Sequence, residues 1–300
     1  MYAENHMKAE SEAFAKINLY LDVLDRRADG YHNIKSIMQT VGISDTVSVE
    51  FIPGDVREIA VVCDDPSVPC GEKNIAYKAA QKYLDRVGIG GVCNISIKKR
   101  IPTEAGLAGG SADAAAVLRL LDRICGDKLG IGGICEVGAA VGADVPFCIV
   151  GGTALTEGIG EVLRPLPPMP DAYIVIARGG DGVSTPAAYR AIDEMLGERL
   201  GEEHGNADSV CDSLGRGDLL SLCGGMLNIF EDVVLPFHDI ARRAKETMLD
   251  CGASGAMMSG SGPSVFGIFE NKADAENAAG ILREFVARVE VTEPFGGYER

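Results

Sequence analysis

The chain contains 300 residues, of which 46% are hydrophobic and 24% charged, a balance that is ordinary for globular proteins and excludes disordered or fibrous classes. Its formal net charge of −16 repels nucleic acid and anionic membrane surfaces, although backbone amides can still hold a small phosphorylated ligand. Nine cysteines without a C-x-x-C pair, together with a polar amino terminus, predict a soluble cytoplasmic protein that binds neither nucleic acid nor membrane.

In the first half of the chain, strand and helix patterns are mixed without a regular βαβ period. Apolar residues at every second position from Ala13 to Val23 predict a strand with one buried face, and a turn built on Asp29-Gly30 follows it. Alternation and helical spacing predict strands at Thr46–Phe51, Glu58–Cys63, Val92–Ile97, Thr153–Leu155 and Glu161–Leu163, and helices at Asn74–Val87, Ser111–Cys125 and Ile131–Val141.

A proline cluster at 165–170 can continue neither a helix nor a central strand, so we expect it to separate two domains, 1–166 and 167–300. The second half predicts a strand at Ala172–Ala177, helices near 186–197, 207–223, 237–251 and 272–287, two strands around a glycine loop within 257–269, and a last strand. Strands and helices mixed in this way predict an α+β fold.

The most informative segment is the glycine-rich loop that runs from Pro102 to Ala112 between a predicted strand and a predicted helix. Small residues let the backbone curl around an anion, and Ser111 is placed to cap the helix, whose amides and dipole favour phosphate. The alternative is a helix start that merely packs tightly. The chain has no Gly-Lys dipeptide and no G-x-G-x-x-G, which excludes a Walker A loop, a dinucleotide fingerprint and a protein-kinase loop.

Other candidates are weaker when each is taken alone. Lys16 and Asn18 project from one face of the first strand, where a lysine needs an anionic partner unless it is solvated at an edge. Asp144 is a carboxylate on a turn between a predicted helix and an apolar segment, and most such aspartates are helix caps or turn formers. Residues 259–264 form a second glycine loop, which can close over the same ligand or simply join two strands.

The turn after the first strand ends in two ring-bearing residues, Tyr31 and His32. We expect both rings to be exposed, because the turn itself is polar. Two exposed rings can stack on a planar base, and the alternative is a histidine that only completes the turn.

Together these motifs resemble the GHMP small-molecule kinases. The resemblance rests on Ala15–Leu19, on the P-x-x-x-G-L-x-G-G-S pattern of Pro102–Ser111, and on Met258–Gly262. Arg27–His32 and Gly142–Pro146 resemble the branch whose substrate carries a diphosphocytidyl group. The resemblance covers nearly the whole chain.

This resemblance implies a role for each matching residue. Lys16 and Asp144 correspond to the catalytic pair, with Lys16 keeping the carboxylate ionised, and Ser111 is the candidate ligand of the Mg²⁺ that accompanies ATP. The ATP-binding positions are Asn74, Lys99, Pro102, Thr103, Glu104, Ala105, Gly106, Leu107, Ala108, Gly109, Gly110, Ser111 and Ala112. The substrate-binding positions are Asn18, Tyr31, His32, Gly158 and Ile159.

The family's fold is implied as well: a ribosomal-protein-S5-like first domain and a ferredoxin-like second domain, with the active site between them. The implied activity is ATP-dependent phosphorylation of a 2-hydroxyl on a diphosphocytidyl-linked sugar alcohol, on the non-mevalonate route to isoprene units. The implied partner is this small molecule, and the implied assembly is a monomer or a homodimer. The alternatives are another GHMP kinase or a catalytically silent nucleotide-binding regulator.

Two positions depart from the family's pattern. Glu104 stands where the family usually has a small residue, so we expect its carboxylate to point away from the phosphates. Ala112 replaces a common second hydroxyl, which leaves Ser111 as the hydroxyl for phosphate or Mg²⁺.

Overall fold

The structure, a computed structural model, describes residues 7–298 and confirms the predicted α+β class. Its strands are β1 (Met7–Arg26), β2 (His32–Pro53), β3 (Arg57–Cys63), β4 (Gly91–Lys98), β5 (Thr153–Glu157), β6 (Val162–Pro165), β7 (Tyr173–Arg178), β8 (Leu227–Asn228), β9 (Gly255–Met258), β10 (Ser264–Phe269) and β11 (Val289–Thr292). Its helices are α1 (Ile75–Val87), α2 (Gly109–Ile124), α3 (Gly130–Ala139), α4 (Val145–Val150), α5 (Thr185–Leu196), α6 (Ala207–Arg216), α7 (Leu219–Gly225), α8 (Glu231–Val234), α9 (Asp239–Asp250) and α10 (Lys272–Leu282), with 3₁₀ turns at Gly197–Arg199 and Leu235–Phe237.

The residue contacts divide the described chain into two compact units. The first takes residues 7–15, 43–103 and 108–150, and the second takes 16–42, 104–107 and 151–298. Strands β1 and β2 each contribute one part of their length to each unit. The domain boundary that the proline cluster predicts near residue 166 stays a prediction.

In the first unit, the end of β2 pairs antiparallel with β4, and β3 pairs parallel with β4. Helix α2 buries a run of alanines, whose short side chains allow neighbouring helices to approach closely. The Tyr83 hydroxyl donates to the Asp122 carboxylate at 2.9 Å, and this joins α1 to α2. The same carboxylate accepts the backbone N–H groups of Leu129 and Gly130, so that one buried acid also holds the start of α3.

The second unit contains an antiparallel sheet with the strand order β11-β7-β10-β9. Helices α9 and α10 contact this sheet, and their alanine-rich faces belong to its apolar core. Three residues from β1 and β2, namely Leu21, Val23 and Ile34, belong to the same core. In this unit β8 pairs parallel with β1, and β5 pairs antiparallel with β2.

Three of the differences from the sequence-based expectation have a clear physical reason. β2 begins at His32 rather than near Thr46, because its first half buries polar residues that obscure the apolar alternation. The helix predicted at 207–223 is broken at Gly217, which adopts a left-handed φ of 66° before Asp218 caps α7. Helix α4 lies within a continuous apolar run. Such a run has no alternation of polar and apolar residues from which a helix could be predicted, so no helix was expected there.

Candidate active site

Lys16 is buried in β1 and lies in the second unit. Its ammonium donates to Asn18 Oδ1 at 2.8 Å and to the carbonyl oxygen of Gly106 at 3.2 Å. Its backbone N–H donates to the carbonyl of Leu107 at 3.1 Å. The strand alternation predicted that Lys16 and Asn18 share a face, and these bonds also attach Lys16 to residues 104–107 of the glycine-rich loop.

The two glycine loops touch each other within this unit. The Ser259 hydroxyl donates to Gly106 O at 3.0 Å, and a Cβ added to Gly106 would lie only 2.0 Å from the Ser259 carbonyl oxygen. The buried Asn228 amide donates to the carbonyls of Met258 and Gly260, at 2.7 and 2.9 Å, and so fixes the second loop from behind. Because the backbones approach this closely, only glycine fits at position 106.

Gly106→Ala should therefore force the loops apart. Gly106 has a φ of 74°, so an alanine would add backbone strain to the clash, and we expect a loss of about 1–3 kcal/mol or more in stability. Thermal unfolding measures the loss, and the KM for ATP should rise with it. Gly252→Ala is the matched control, since Gly252 has a φ of 89° and no atom within 4 Å of the added Cβ. Equal losses in the two variants would contradict the role of the loop contact.

Residues 108–112 of the glycine-rich loop belong to the first unit and begin helix α2. The helix starts at Gly109 after Ala108, which has a left-handed φ of 56°, and no side chain caps it. The prediction that Ser111 is the cap was wrong, because Ser111 lies inside the first turn. A helix start without a side-chain cap keeps its first N–H groups available to an anion. This is the property that the phosphate-binding hypothesis needs.

Lys99 forms a buried cluster with two aspartates behind this helix start. Its ammonium contacts the Asp45 carboxylate and donates to Asp113 Oδ2 at 2.8 Å. Burial raises the pKa of the Asp113 carboxyl to about 7, against the lowering effect of the Lys99 ammonium. Burial lowers the pKa of Lys99, but the two carboxylates outweigh it and raise that pKa overall.

The Lys99 cluster supports the glycine-rich loop from inside the first unit. A Cβ on Gly109 would lie 3.3 Å from Lys99 Nζ and 2.9 Å from Ile101 Cγ2, so the helix start packs directly on this cluster. Asp45 Oδ1 also accepts the backbone N–H of Ile101 at 2.8 Å. Both carboxylates escaped the sequence reasoning. Asp113 could have been recognised as the single acidic residue near the start of a predicted alanine-rich helix, because a buried charge there needs a partner.

The remaining first-unit candidates lie around Ile75. Asn74 caps α1 by accepting the N–H of Ala76 at 2.8 Å, and its side-chain amide donates to a backbone carbonyl, that of Pro69. The side chain of Ile75 lies against both Gly110 and Gly142, whose added Cβ atoms would be 3.5 and 3.4 Å from it. The segment that carries Asp144 therefore lies near the helix start of the glycine-rich loop. Contacts of Asn74, Lys99 and Asp144 with ligand stay predictions.

The turn at residues 29–32 presents one exposed ring, where two were predicted. Tyr31 is 62% exposed, and its backbone N–H donates to Asp29, whose pKa is lowered by a hydrogen bond from Arg27. His32 is buried, because the alternation of β2 turns its ring inward. The expectation that His32 is exposed was wrong. Its part in binding the base stays a prediction.

The inward-facing His32 ring has two partners on α5. It stacks on Tyr189 with 4.8 Å between ring centroids, and its Nε2 lies 2.6 Å from Asp193 Oδ1. Neither partner could be expected from the sequence, since 161 residues separate His32 from Asp193. One face of the histidine ring is thus already covered by protein.

The other predicted positions lie in well-defined turns. Gly158 has a φ of 69°, and its carbonyl accepts the N–H of Ile34 at 2.8 Å, which places the β5–β6 turn beside the start of β2. The N–H of Ile159 donates to the Glu161 carboxylate at 2.7 Å. Glu104 is exposed and lies against Gly182, and its orientation relative to the phosphates stays a prediction.

Two general properties of the described residues bear on function. No helix within residues 7–298 is long and apolar enough to cross a membrane. No group of three or more His, Cys, Asp or Glu side chains in that part of the chain could hold a metal ion.

Comparison with known proteins identifies the family. Residues 74–152 match the GHMP kinases N terminal domain, and residues 211–288 match the GHMP kinases C terminal domain. The chain is 43% identical over 281 residues to a 4-diphosphocytidyl-2-C-methyl-D-erythritol kinase of Caldicellulosiruptor saccharolyticus, covering 94% of this chain and 95% of that protein. It is 44% identical to the enzyme of the same name from Alkaliphilus metalliredigens, covering 88% and 89%.

A solved structure agrees with these relatives. The crystal structure of a 4-(cytidine 5′-diphospho)-2C-methyl-D-erythritol kinase matches with a TM-score of 0.79 and 33% identity, covering 96% of this chain and all (100%) of that chain. High coverage of both chains means that the likeness extends over the whole fold rather than over one domain. The chain therefore belongs to the GHMP kinases and, among them, to the family of 4-diphosphocytidyl-2-C-methyl-D-erythritol kinases.

Proposed function

We propose that this protein transfers the γ-phosphoryl group of ATP to the 2-hydroxyl of 4-diphosphocytidyl-2-C-methyl-D-erythritol, within the non-mevalonate route to isoprene units. The observation that carries the proposal is the 43–44% identity, over about nine tenths of the chain, to kinases with that printed name. The contact between two glycine loops and the buried lysine beside them agree with a site for phosphoryl transfer.

Phosphoryl transfer depends on positioning and on charge neutralisation more than on covalent help. The uncapped start of α2 offers backbone N–H groups for the phosphates of ATP, and the rest of the glycine-rich loop shapes the backbone around them. Mg²⁺ prefers oxygen ligands and binds largely through nucleotide phosphates. The hydroxyl of Ser111 would hold this ion, which neutralises phosphate charge when it is bound.

Two side chains of the protein act on the reacting hydroxyl in this proposal. Asp144 accepts the proton of the attacking 2-hydroxyl, and Lys16 neutralises the negative charge that develops as the phosphoryl group moves. The hydrogen bonds from Lys16 to Asn18 and to Gly106 O keep the ammonium in one place before the substrate arrives. A charge that is already in place can stabilise the transition state without first moving, so no free energy is lost in rearranging the site.

The test is a coupled ADP-release assay with the purified protein. ATP is offered with 4-diphosphocytidyl-2-C-methyl-D-erythritol and, separately, with mevalonate, homoserine and galactose. Turnover is expected only with the cytidyl substrate. Turnover with one of the other three would indicate a different GHMP kinase, and ATP binding without any turnover would indicate a nucleotide-binding regulator.

Tyr31→Ala should separate substrate recognition from chemistry. Tyr31 is the exposed ring of the turn at residues 29–32, and base stacking on an aromatic ring is worth about 1–3 kcal/mol, so we expect the KM for the cytidyl substrate to rise roughly ten- to a hundredfold. The KM for ATP should stay near the wild-type value. Tyr31→Phe keeps the ring and serves as the control. A higher KM for ATP, or an unchanged KM for the cytidyl substrate, would show that this turn is not the base pocket.

We further propose that the enzyme works in the cytoplasm, as a monomer or a homodimer. All nine cysteines are free thiols, which suits a reducing compartment. Fractionation of cells that produce the protein, followed by size-exclusion chromatography with light scattering, measures both properties.

A further inference from the structure

Four groups of the second unit form an unbroken line of hydrogen bonds that begins at the Lys16 ammonium. Lys16 Nζ donates to Asn18 Oδ1 at 2.8 Å, and Asn18 Nδ2 donates to Ser36 Oγ at 2.9 Å. Ser36 Oγ in turn donates to the backbone carbonyl of Tyr20 at 2.6 Å. The three side chains are all buried, and they lie on the neighbouring strands β1 and β2. We call these four groups the Lys16 relay.

The direction of every bond in the relay follows from the groups at its two ends. A backbone carbonyl can only accept, so the single hydroxyl hydrogen of Ser36 must point to Tyr20 O. Ser36 Oγ is left with lone pairs, and therefore Asn18 must turn its NH₂ group toward it. The carbonyl oxygen of the Asn18 amide then faces Lys16, whose ammonium can only donate. With the amide reversed, its NH₂ group would meet the ammonium and the Ser36 lone pairs would meet an oxygen.

Ser36 is the part of this relay for which neither the sequence motifs nor the proposed mechanism gives a role. A serine at a fully buried strand position costs free energy unless its hydroxyl is satisfied, and alanine would fill such a position without that cost. The hydroxyl makes two bonds at once, one to a fixed backbone group and one to an amide that contacts the lysine. The Tyr20 carbonyl belongs to the backbone and is held in place by the strand. The Ser36 hydroxyl is fixed by its bond to this carbonyl, and it in turn fixes the Asn18 amide.

We propose that Ser36 is a positioning residue for phosphoryl transfer: its hydroxyl fixes the orientation of the Asn18 amide and thereby the location of the Lys16 ammonium. The proposal rests on the proposed function, in which Lys16 acts on the charge of the moving phosphoryl group. Without the hydroxyl, the Asn18 amide can rotate and the ammonium loses a fixed acceptor.

The decisive measurement is the split between kcat and KM in Ser36→Ala. We expect kcat to fall about ten- to a hundredfold, because the Lys16 ammonium would no longer be held in the position from which it stabilises charge. The KM for ATP should stay within about twofold of wild type. Ser36→Thr keeps the hydroxyl and should retain most of the activity. Ser213→Ala is the control for loss of a buried hydroxyl, because Ser213 is also buried in this unit and its hydroxyl donates to a backbone carbonyl of the same helix, that of Ser209, at 2.8 Å. Since alanine favours a helix and this bond is an i−4 back-bond, the variant should keep both its stability and its kcat.

A double-mutant cycle with Asn18→Ala tests whether Ser36 acts through Asn18. If it does, Ser36→Ala should lower kcat little or not at all in the Asn18→Ala background. Additive losses would overturn the proposal, and so would a wild-type kcat in Ser36→Ala or a threonine variant as slow as the alanine variant. A purely structural role would lower the melting temperature of Ser36→Ala and leave kcat unchanged.

The Lys16→Ala variant distinguishes failure of this inference from failure of the proposed function. Full turnover by Lys16→Ala would refute the catalytic role of the lysine, and the relay would then have no role in catalysis. An inactive Lys16→Ala together with a fully active Ser36→Ala would refute the relay alone.

Discussion

Lys16→Ala is expected to lower kcat by about 10²–10⁴-fold, the range found when a group that stabilises charge at the reacting centre is removed. The variant should remain folded, because each of the hydrogen bonds to Asn18 and to Gly106 O contributes only about 0.5–1.5 kcal/mol to stability. Steady-state ADP release measures the first effect, and thermal unfolding measures the second. Lys35→Ala is the control, since Lys35 is a largely buried lysine of the same unit that pairs with Glu203 instead.

Asp144→Asn should show a loss of the same order, since an amide cannot accept the proton of the attacking hydroxyl. A near-wild-type kcat in Lys16→Ala or in Asp144→Asn would contradict the mechanism. A large fall in melting temperature in both variants, without a matching loss of kcat, would mean that these side chains serve the fold rather than the reaction.

The largest expected effect on stability belongs to Lys99→Met. This change removes the ammonium from between the buried carboxylates of Asp45 and Asp113, and breaking a buried ion pair on one side costs about 3–5 kcal/mol. Chemical denaturation with urea measures the loss. Lys35→Met is the matched control, because its partner Glu203 is 51% exposed and such a pair contributes only about 0–1 kcal/mol. Similar losses in the two variants would show that the Lys99 cluster is not a buried charge cluster in solution.

The same variant should have a characteristic dependence on pH. The pKa of Asp113 is raised from 3.8 to about 7, first of all by burial, so the folded protein binds a proton there that the unfolded chain releases. Between these two values, the contribution of Asp113 to the free energy of unfolding falls as pH rises. Without the Lys99 ammonium this pKa is higher still. The loss in the free energy of unfolding caused by Lys99→Met should therefore be smaller at about pH 5 than at about pH 8. A loss that does not depend on pH would contradict this account.

Features that depend on local pattern could be predicted from the sequence. The shared face of Lys16 and Asn18 follows from strand alternation, and the helix after the glycine-rich loop follows from its composition. The family was recognisable because its motifs are spread along the chain, from Ala15–Leu19 to Met258–Gly262. Both the α+β class and the family are confirmed.

Features that depend on pairing between distant residues could not be predicted. Lys99 and Asp45 are 54 residues apart, and only the fold brings the aspartate to the lysine. His32 was expected at the surface because its turn is polar, yet β2 begins at that residue and directs its ring toward α5. Ser36 was overlooked for a related reason, since a serine in an unrecognised strand gives no sign that it contacts Asn18.

The interleaving of the two units has a consequence for the order in which the chain can fold during synthesis. Every segment of the first unit has been made by residue 150, so that unit can form while the carboxyl-terminal half is still on the ribosome. The apolar side chains of Leu21, Val23 and Ile34 must wait, because the strands and helices that bury them begin only at β7. The nascent protein therefore exposes these three apolar side chains for the time needed to make about half its length, and this region is where a chaperone would be expected to bind.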